Sequence, residues 1–300
     1  MNGFPMLKTG SFLAFIADNS ALGIHHAGYN GLAALIPWSS GNNLFAPRFA
    51  GLNYEEIHFA GLPTYRSESG WPFEPRFEPM HIASADEQSV VLVQPEMSYS
   101  HVSARITFTV EEPHYLHQRI ELTLHRRFCA QGEPNTMRCQ WASYMHMPPD
   151  IHVYLKPDIE RGGDLEGWVG VTRADHDLRP YQVRLLPSDT EIDAAEHLQA
   201  MQAQEPRIEE SVVEALTFYY GLCHGDQLFL VMFKQPERFR LIYSPCGAGK
   251  EPAWNPAWDY LLYLYDAEIR TPYVWDLCLA VKPFEGRADA LREVRRYLAS

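Results

Sequence analysis

Two runs in this chain alternate apolar and polar residues with a period of two, and no other feature restricts the fold as strongly. In 103–111, Ile106, Phe108 and Val110 oppose Arg105, Thr107 and Thr109. In 116–128, Ile120, Leu122 and Leu124 oppose His117, Arg119, Glu121, Thr123 and His125. Successive side chains of a strand point to opposite faces, so each run has one face for a core and one for solvent or a ligand. Runs rich in β-branched and aromatic residues predict further strands at 12–17, 32–36, 90–94, 137–147, 151–155, 168–172, 182–186, 212–221, 228–234, 239–243, 258–265 and 273–281. Gly, Pro, Asn and Asp separate them at short intervals, as at 132–135 and 161–164. Two helices are expected. The first, 188–204, opens on Ser188 with Glu191 three residues on, the pattern of a capping box. The second, 287–298, places Leu291, Val294 and Leu298 on one stripe. About 15 strands and two helices without a break in composition predict an all-β chain forming a single domain over 1–300. The absence of a repeat of about 40 residues disfavours a propeller, and the absence of a strand–helix–strand rhythm disfavours a doubly wound sheet or an α/β barrel. The least regular stretches are 39–79 and 244–256, and long irregular segments of β-domains often carry function.

Charge narrows the partners. Lys and Arg number 25 against 38 Asp and Glu, a net charge of −13, which argues against a general binder of nucleic acid or of anionic membrane. With 16 Tyr, 7 Trp and 13 His, an acidic chain suits a neutral, hydroxyl-rich ligand such as a sugar better than a phosphate. The apolar stretch 12–17 is too short for a secretory core or a membrane span, so a cytoplasmic protein is expected. The five cysteines show no CxxC spacing. Reduced thiols are expected, with pairing of Cys129 and Cys139 across a hairpin as the alternative. No cofactor and no metal are expected. His114 and His117 point to opposite faces of a strand, His117 and His125 share a face about 26 Å apart, and the adjacent His25 and His26 diverge. The Gly-rich stretch 244–250 resembles a phosphate loop only superficially. Ser244 stands where its first Gly belongs, and Glu251 replaces the Ser or Thr.

Four groups of residues carry candidate chemistry, each with a structural alternative. The row His117, Arg119, Glu121, Thr123, His125 repeats about every 6.6 Å along a strand, close to the spacing of hydroxyls across a sugar ring; cross-strand ion pairing is the alternative. Tyr144 and His146 share one face of an extended segment that ends at Pro148-Pro149. Histidine is the natural proton carrier near neutral pH, and a structural Tyr–His hydrogen bond is the alternative. Arg48 and Arg76, together with Glu55, Glu56, Glu74 and Glu78, sit in the irregular stretch before residue 80. They either grip a ligand or pin a loop by ion pairs. Trp254, Asn255, Trp258 and Asp259 fall within six residues; the indoles either stack on a sugar face or pack at the edge of a sandwich.

Taken together, 300 residues of strand, histidine-bearing polar strand faces and an Arg-rich C-terminal helix resemble the galactose mutarotase-like (aldose 1-epimerase-like) β-supersandwich superfamily. Aldose mutarotases carry Asn-His-x-Tyr-Phe-Asn-Leu mid-chain. The counterpart here is Ala142-Ser-Tyr-Met-His146-Met-Pro, which keeps the His without the flanking Asn residues. The resemblance implies a single-domain β-supersandwich with a C-terminal helix, acting on a sugar ring as a mutarotase or epimerase does. It implies His146 as the acid that protonates the ring oxygen, with Glu268 or Asp259 as the base at the anomeric hydroxyl. Arg48, matching an Arg in an N-terminal Asn- and Gly-rich loop, would bind substrate with Arg76, Tyr144, His117, Trp254, Asn255 and Trp258. A small or oligomeric sugar is the expected partner, with self-association possible. The alternatives are a non-catalytic carbohydrate-binding or accessory module and a structural or interaction protein, because a fold hosts many functions.

Overall fold

The computed structural model describes residues 4–19, 30–46, 51–60, 72–173, 181–188, 199, 203–205, 207–208, 211–244 and 255–300. Among them two sheets face each other. The first runs, in spatial order, β1 (Met6–Lys8), β2 (Phe12–Ala17), β3 (Gly31–Pro37), β4 (Leu52–Phe59), β9 (Met137–Ala142), β17 (Ala257–Leu264) and β16 (Phe239–Ser244). The second runs β13 (Arg207–Ile208), β12 (Gln182–Leu185), β11 (Val169–Thr172), β10 (Val153–Leu155), β14 (Phe218–Cys223), β15 (Gln227–Phe233), β18 (Pro272–Pro283), β8 (Tyr115–Leu124), β7 (Val102–Glu111), β6 (Ser89–Gln94) and β5 (His81–Ala85). The expected all-β sandwich is therefore what the chain builds, and the described neighbours are antiparallel throughout.

The two alternating runs form β7 and β8, paired so that Ile106 lies opposite Ile120 and Arg105 opposite Glu121. One apolar core fills the space between the sheets, drawing on residues from Leu7 to Val281. Its centre on the first sheet is a row of parallel rings across β4, β9 and β17. Tyr54 stacks on Trp141 at 4.5 Å and Trp141 lies 6.0 Å from Tyr260, each pair within 4° of parallel. Such pairs add about 0.5–1.5 kcal/mol each beyond burial.

A second, smaller core lies on the far side of the second sheet, under the helix α2 (Arg287–Ala299). Ala290, Leu291 and Val294 are fully buried there against β14, β15 and β18. This explains why β14 and β15 are buried at every residue: the core covers one face and the helix the other. The expected helix at 188–204 lies almost wholly outside the described residues.

Three readings change. The run 212–221 is not one strand: Ser211–Val213 is a 3₁₀ turn and β14 begins at Phe218. The run 137–147 keeps regular pairing only to Ala142, because Ser143 turns its hydroxyl to the Trp258 carbonyl. The stretch 39–79, read as irregular, contains β4 and the short helix α1 (Glu74–Phe77). The reason for missing β4 is physical. Tyr54 pairs with Trp141 and Glu56 with Gln140, so Glu55 is an extra residue in the ladder. This β-bulge sets two adjacent glutamates off the core face and breaks the period-two pattern. The described cysteines 129, 139, 223 and 278 are free thiols.

Candidate active site

The bulge aims Glu55 away from the core, over the outer face of the first sheet. Three elements converge on it. From α1, the Arg76 guanidinium lies 2.6 Å from Glu55 Oε1, and its Nε donates to Asn53 Oδ1 at 3.4 Å. From the segment after β9, the Tyr144 hydroxyl donates to the same Glu55 oxygen at 3.1 Å. From β17 comes Asp259, which accepts from the Ser143 amide at 2.7 Å and from Gln140 Nε2 at 3.0 Å. Glu55, Arg76 and Asp259 are each no more than 6% exposed.

This geometry is built by hydrogen bonding outside the cluster. The four-residue helix α1 could not hold a position by itself. Glu74 accepts from the amides of Tyr99 at 2.5 Å and Ser100 at 2.8 Å. The Pro75 carbonyl accepts from Asn30 Nδ2 and from Gln94 Nε2, each at 2.9 Å. Asn53 donates to the carbonyls of Gly51 and Ala142. Gly51 is required where β4 starts, because a Cβ there would fall 2.2 Å from both the Leu32 carbonyl and the Phe45 ring.

Burial dominates the electrostatics. It raises the Glu55 carboxyl to about 7; Arg76 pulls it back down and Glu56 pushes it further up. Burial also raises Asp259 well above the usual carboxylate range, and Glu55 adds to that rise. The Tyr144 hydroxyl is likewise raised by burial and by the Glu55 charge. Among the described residues, one oxygen, Glu55 Oε2, is buried with no hydrogen-bond partner. The site therefore holds a carboxyl that gains and loses its proton near neutral pH, with a free oxygen to do so.

His146 lies on the extended segment that carries Tyr144, two residues on. The segment is clamped from both sides. Ala46 N donates to the Tyr144 carbonyl at 2.7 Å, His146 N to the Leu44 carbonyl at 2.8 Å and Met145 N to the Pro256 carbonyl at 2.9 Å. Asn255 Oδ1 accepts from the Met147 amide at 3.2 Å, where φ is +42°. Asn255 is thus an anchor of the His146 loop. Among the described residues His146 Nδ1 is buried and unpaired.

Of the residues singled out in the sequence, Arg76, Tyr144 and Asp259 are brought together. Glu55, which joins them, was visible only as one carboxylate among several in an irregular stretch. Arg48 and Trp254 lie outside the described residues, as do His25 and His26. Trp258 is fully buried. Its ring packs against Gly221 of β14 and its Nε1 donates to the Ile151 carbonyl, so it presents no face to a ligand. Glu268 is exposed on the turn between β17 and β18, accepting from Thr271 Oγ1, and is not part of the cluster. His117 is on the second sheet, 2.8 Å from Glu111, and its neighbour Arg119 pairs with Asp276 at 3.1 Å. That row forms cross-strand and local ion pairs on the far sheet. Among the described residues no group of three or more His, Cys, Asp or Glu side chains is placed to hold a metal, and no helix is long and apolar enough to cross a membrane.

No protein-family model matches this chain, and no curated protein matches it. Solved structures do. A protein of Escherichia coli K12 assigned as an aldose 1-epimerase aligns over 94% of this chain and 99% of its own, with 10% identity and a TM-score of 0.53. An α-N-acetylgalactosaminidase from Bifidobacterium bifidum aligns over 98% of this chain with 8% identity and a TM-score of 0.51. This chain spans 38% of that glycosidase. The fold is the galactose mutarotase-like β-supersandwich.

Proposed function

We propose that this chain acts on the anomeric carbon of a sugar by proton exchange at the Glu55 cluster. The observation that supports it is Glu55 itself, a buried carboxyl titrating at about 7 with an unpaired oxygen, held between a guanidinium and a phenol. The fold's likeness to an assigned aldose 1-epimerase is consistent with that chemistry and does not prescribe it. In this reading Glu55, coupled to Asp259, takes the proton of the C1 hydroxyl. The C1–O5 bond breaks as C1 becomes a carbonyl, and His146 gives a proton to the ring oxygen. Rotation about C1–C2 and the reverse steps yield the other anomer and restore both groups. Arg76 and Tyr144 orient the carboxyl, and the charge of Glu55 adds to the burial that holds Asp259 in its protonated form.

The test is anomer exchange followed by proton NMR over a panel of aldoses and uronates. Exchange above the solvent rate is expected for at least one of them. Glu55→Gln should lower kcat/KM by about 10²–10⁴-fold, the usual contribution of a positioned proton carrier. His146→Ala should lower it comparably, and unchanged exchange would remove His146 from the mechanism. Saturable sugar binding without any exchange would make the chain a binding module and overturn the proposal.

A further inference from the structure

The edge of the first sheet holds a second polar feature. A cavity of about 470 Å³ opens at the edge strand β16, lined by Arg173, Tyr181, Arg238, Arg240, Tyr263 and Tyr265. That volume falls within the range of small-molecule sites. The chain carries a net charge of −13, yet this groove is rich in guanidinium groups. Arg238 pairs with Glu237 at 3.6 Å. Among the described residues Arg240 donates to the backbone carbonyls of Glu237 and Phe239. Arg173 lies 4.3 Å over the Tyr181 ring, its Nε buried without a hydrogen-bond partner. Among the described residues neither Arg173 nor Arg240 has a carboxylate partner, although Glu214 also borders the cavity. Tyr265 is 67% exposed at the rim, and the Arg240 guanidinium lies 6.0 Å from the Tyr263 ring.

The groove and the Glu55 cluster share strand β17. Trp258, Tyr260, Leu262 and Leu264 belong to the core, so Asp259, Leu261 and Tyr263 are on the outer face. Arg240 stands opposite Leu261, two residues from Asp259. Tyr263 lies about 13 Å along the strand from Asp259, further than one sugar ring reaches and within the span of a short oligosaccharide.

From this arrangement we infer that the groove is a subsite for an anionic sugar unit, and that the ligand is an acidic oligosaccharide running from the Glu55 cluster to the edge of β16. The inference rests on the proposed sugar chemistry and extends it to a substrate class. Phenol rings supply faces for sugar C–H groups, and guanidinium forks bind carboxylate or sulfate with paired hydrogen bonds. Among the described residues, a neutral saccharide would leave Arg173 and Arg240 without a carboxylate partner.

Binding of a galacturonic acid trisaccharide, of its neutral galactose counterpart and of inorganic sulfate, measured by calorimetry at low and high salt, tests this. The acidic trisaccharide should bind about tenfold tighter than the neutral one at low salt, and the advantage should shrink as salt rises. Arg240→Gln and Arg173→Gln should each reduce that advantage several-fold, while Tyr265→Ala should weaken both saccharides. Equal affinity for the acidic and neutral chains, or no effect of either arginine variant, overturns the inference. Sulfate binding as tightly as the acidic trisaccharide also overturns it, since the tyrosines would then contribute nothing. Anomer exchange of a free monosaccharide depends on the Glu55 cluster and not on the groove, so the two proposals fail separately. Acidic binding without any exchange in the unmodified chain sinks the catalytic proposal and leaves the subsite standing.

Discussion

At the residue scale the site turns on one carboxyl. The unfolded value of a glutamate is 4.5, and burial of Glu55 lifts it to about 7 in the folded chain. The folded state therefore holds this proton more tightly, and stability from its neutral form is full below pH 4.5 and is lost as pH rises through about 7. The shift corresponds to about 3 kcal/mol. Urea unfolding at about pH 5 and about pH 8 should show that loss in the unmodified chain and a smaller one in Glu55→Gln, where the raised Asp259 carboxyl remains. If ionised Glu55 is the base, kcat/KM should rise over the same interval. The types of Arg76, Tyr144 and Asp259 marked them in the sequence as candidates. Their partner Glu55 was not distinguishable from Glu56 or Glu74, because burial and not residue type selects it. Trp258 shows the converse. Its position beside Asp259 looked like a stacking platform, but neighbours on a strand face opposite ways, and Asp259 took the outer face.

At the scale of elements, the C-terminal helix was legible from its apolar stripe, while the polar residues that dock it were not. Glu293 meets His114 Nε2 at 3.2 Å, Lys282 at 3.5 Å and the Tyr115 hydroxyl. Burial opposes its charge, but hydrogen bonds from His114 and Tyr115 outweigh that and hold it at about 2. A carboxylate lowered in this way stabilises the fold above pH 4.5, and the contribution is lost as pH falls through about 2. Amide hydrogen exchange should show α2 losing protection across that acid window, and Glu293→Gln should abolish this pH dependence. His114 and His117, three residues apart, illustrate the limit of sequence spacing. The first is buried under the helix and bonds Glu293, whereas the second bonds Glu111 at the surface.

Over the whole molecule, the sandwich was readable because each alternating strand states which side belongs to the core. What the pattern does not state is which outer face carries the proposed site. Both sheets offered polar rows, and the deciding facts are tertiary: helix α2 covers part of the second sheet, while α1 brings Arg76 to the first. The sheets are joined where Trp258 of β17 meets β14. A Cβ on Gly221 would fall 2.2 Å from the indole. Gly221→Ala should therefore cost about 1–3 kcal/mol through overpacking, read as a lower urea midpoint with an unchanged slope. The bulge in β4 has a consequence of another kind. Strand pairing counts Tyr54 and Glu56 against Trp141 and Gln140 and passes over Glu55. The ladder has no need of the residue on which the proposed chemistry depends. A chain shorter by that one position could keep its two sheets in register and would have no such carboxyl on the outer face of the first.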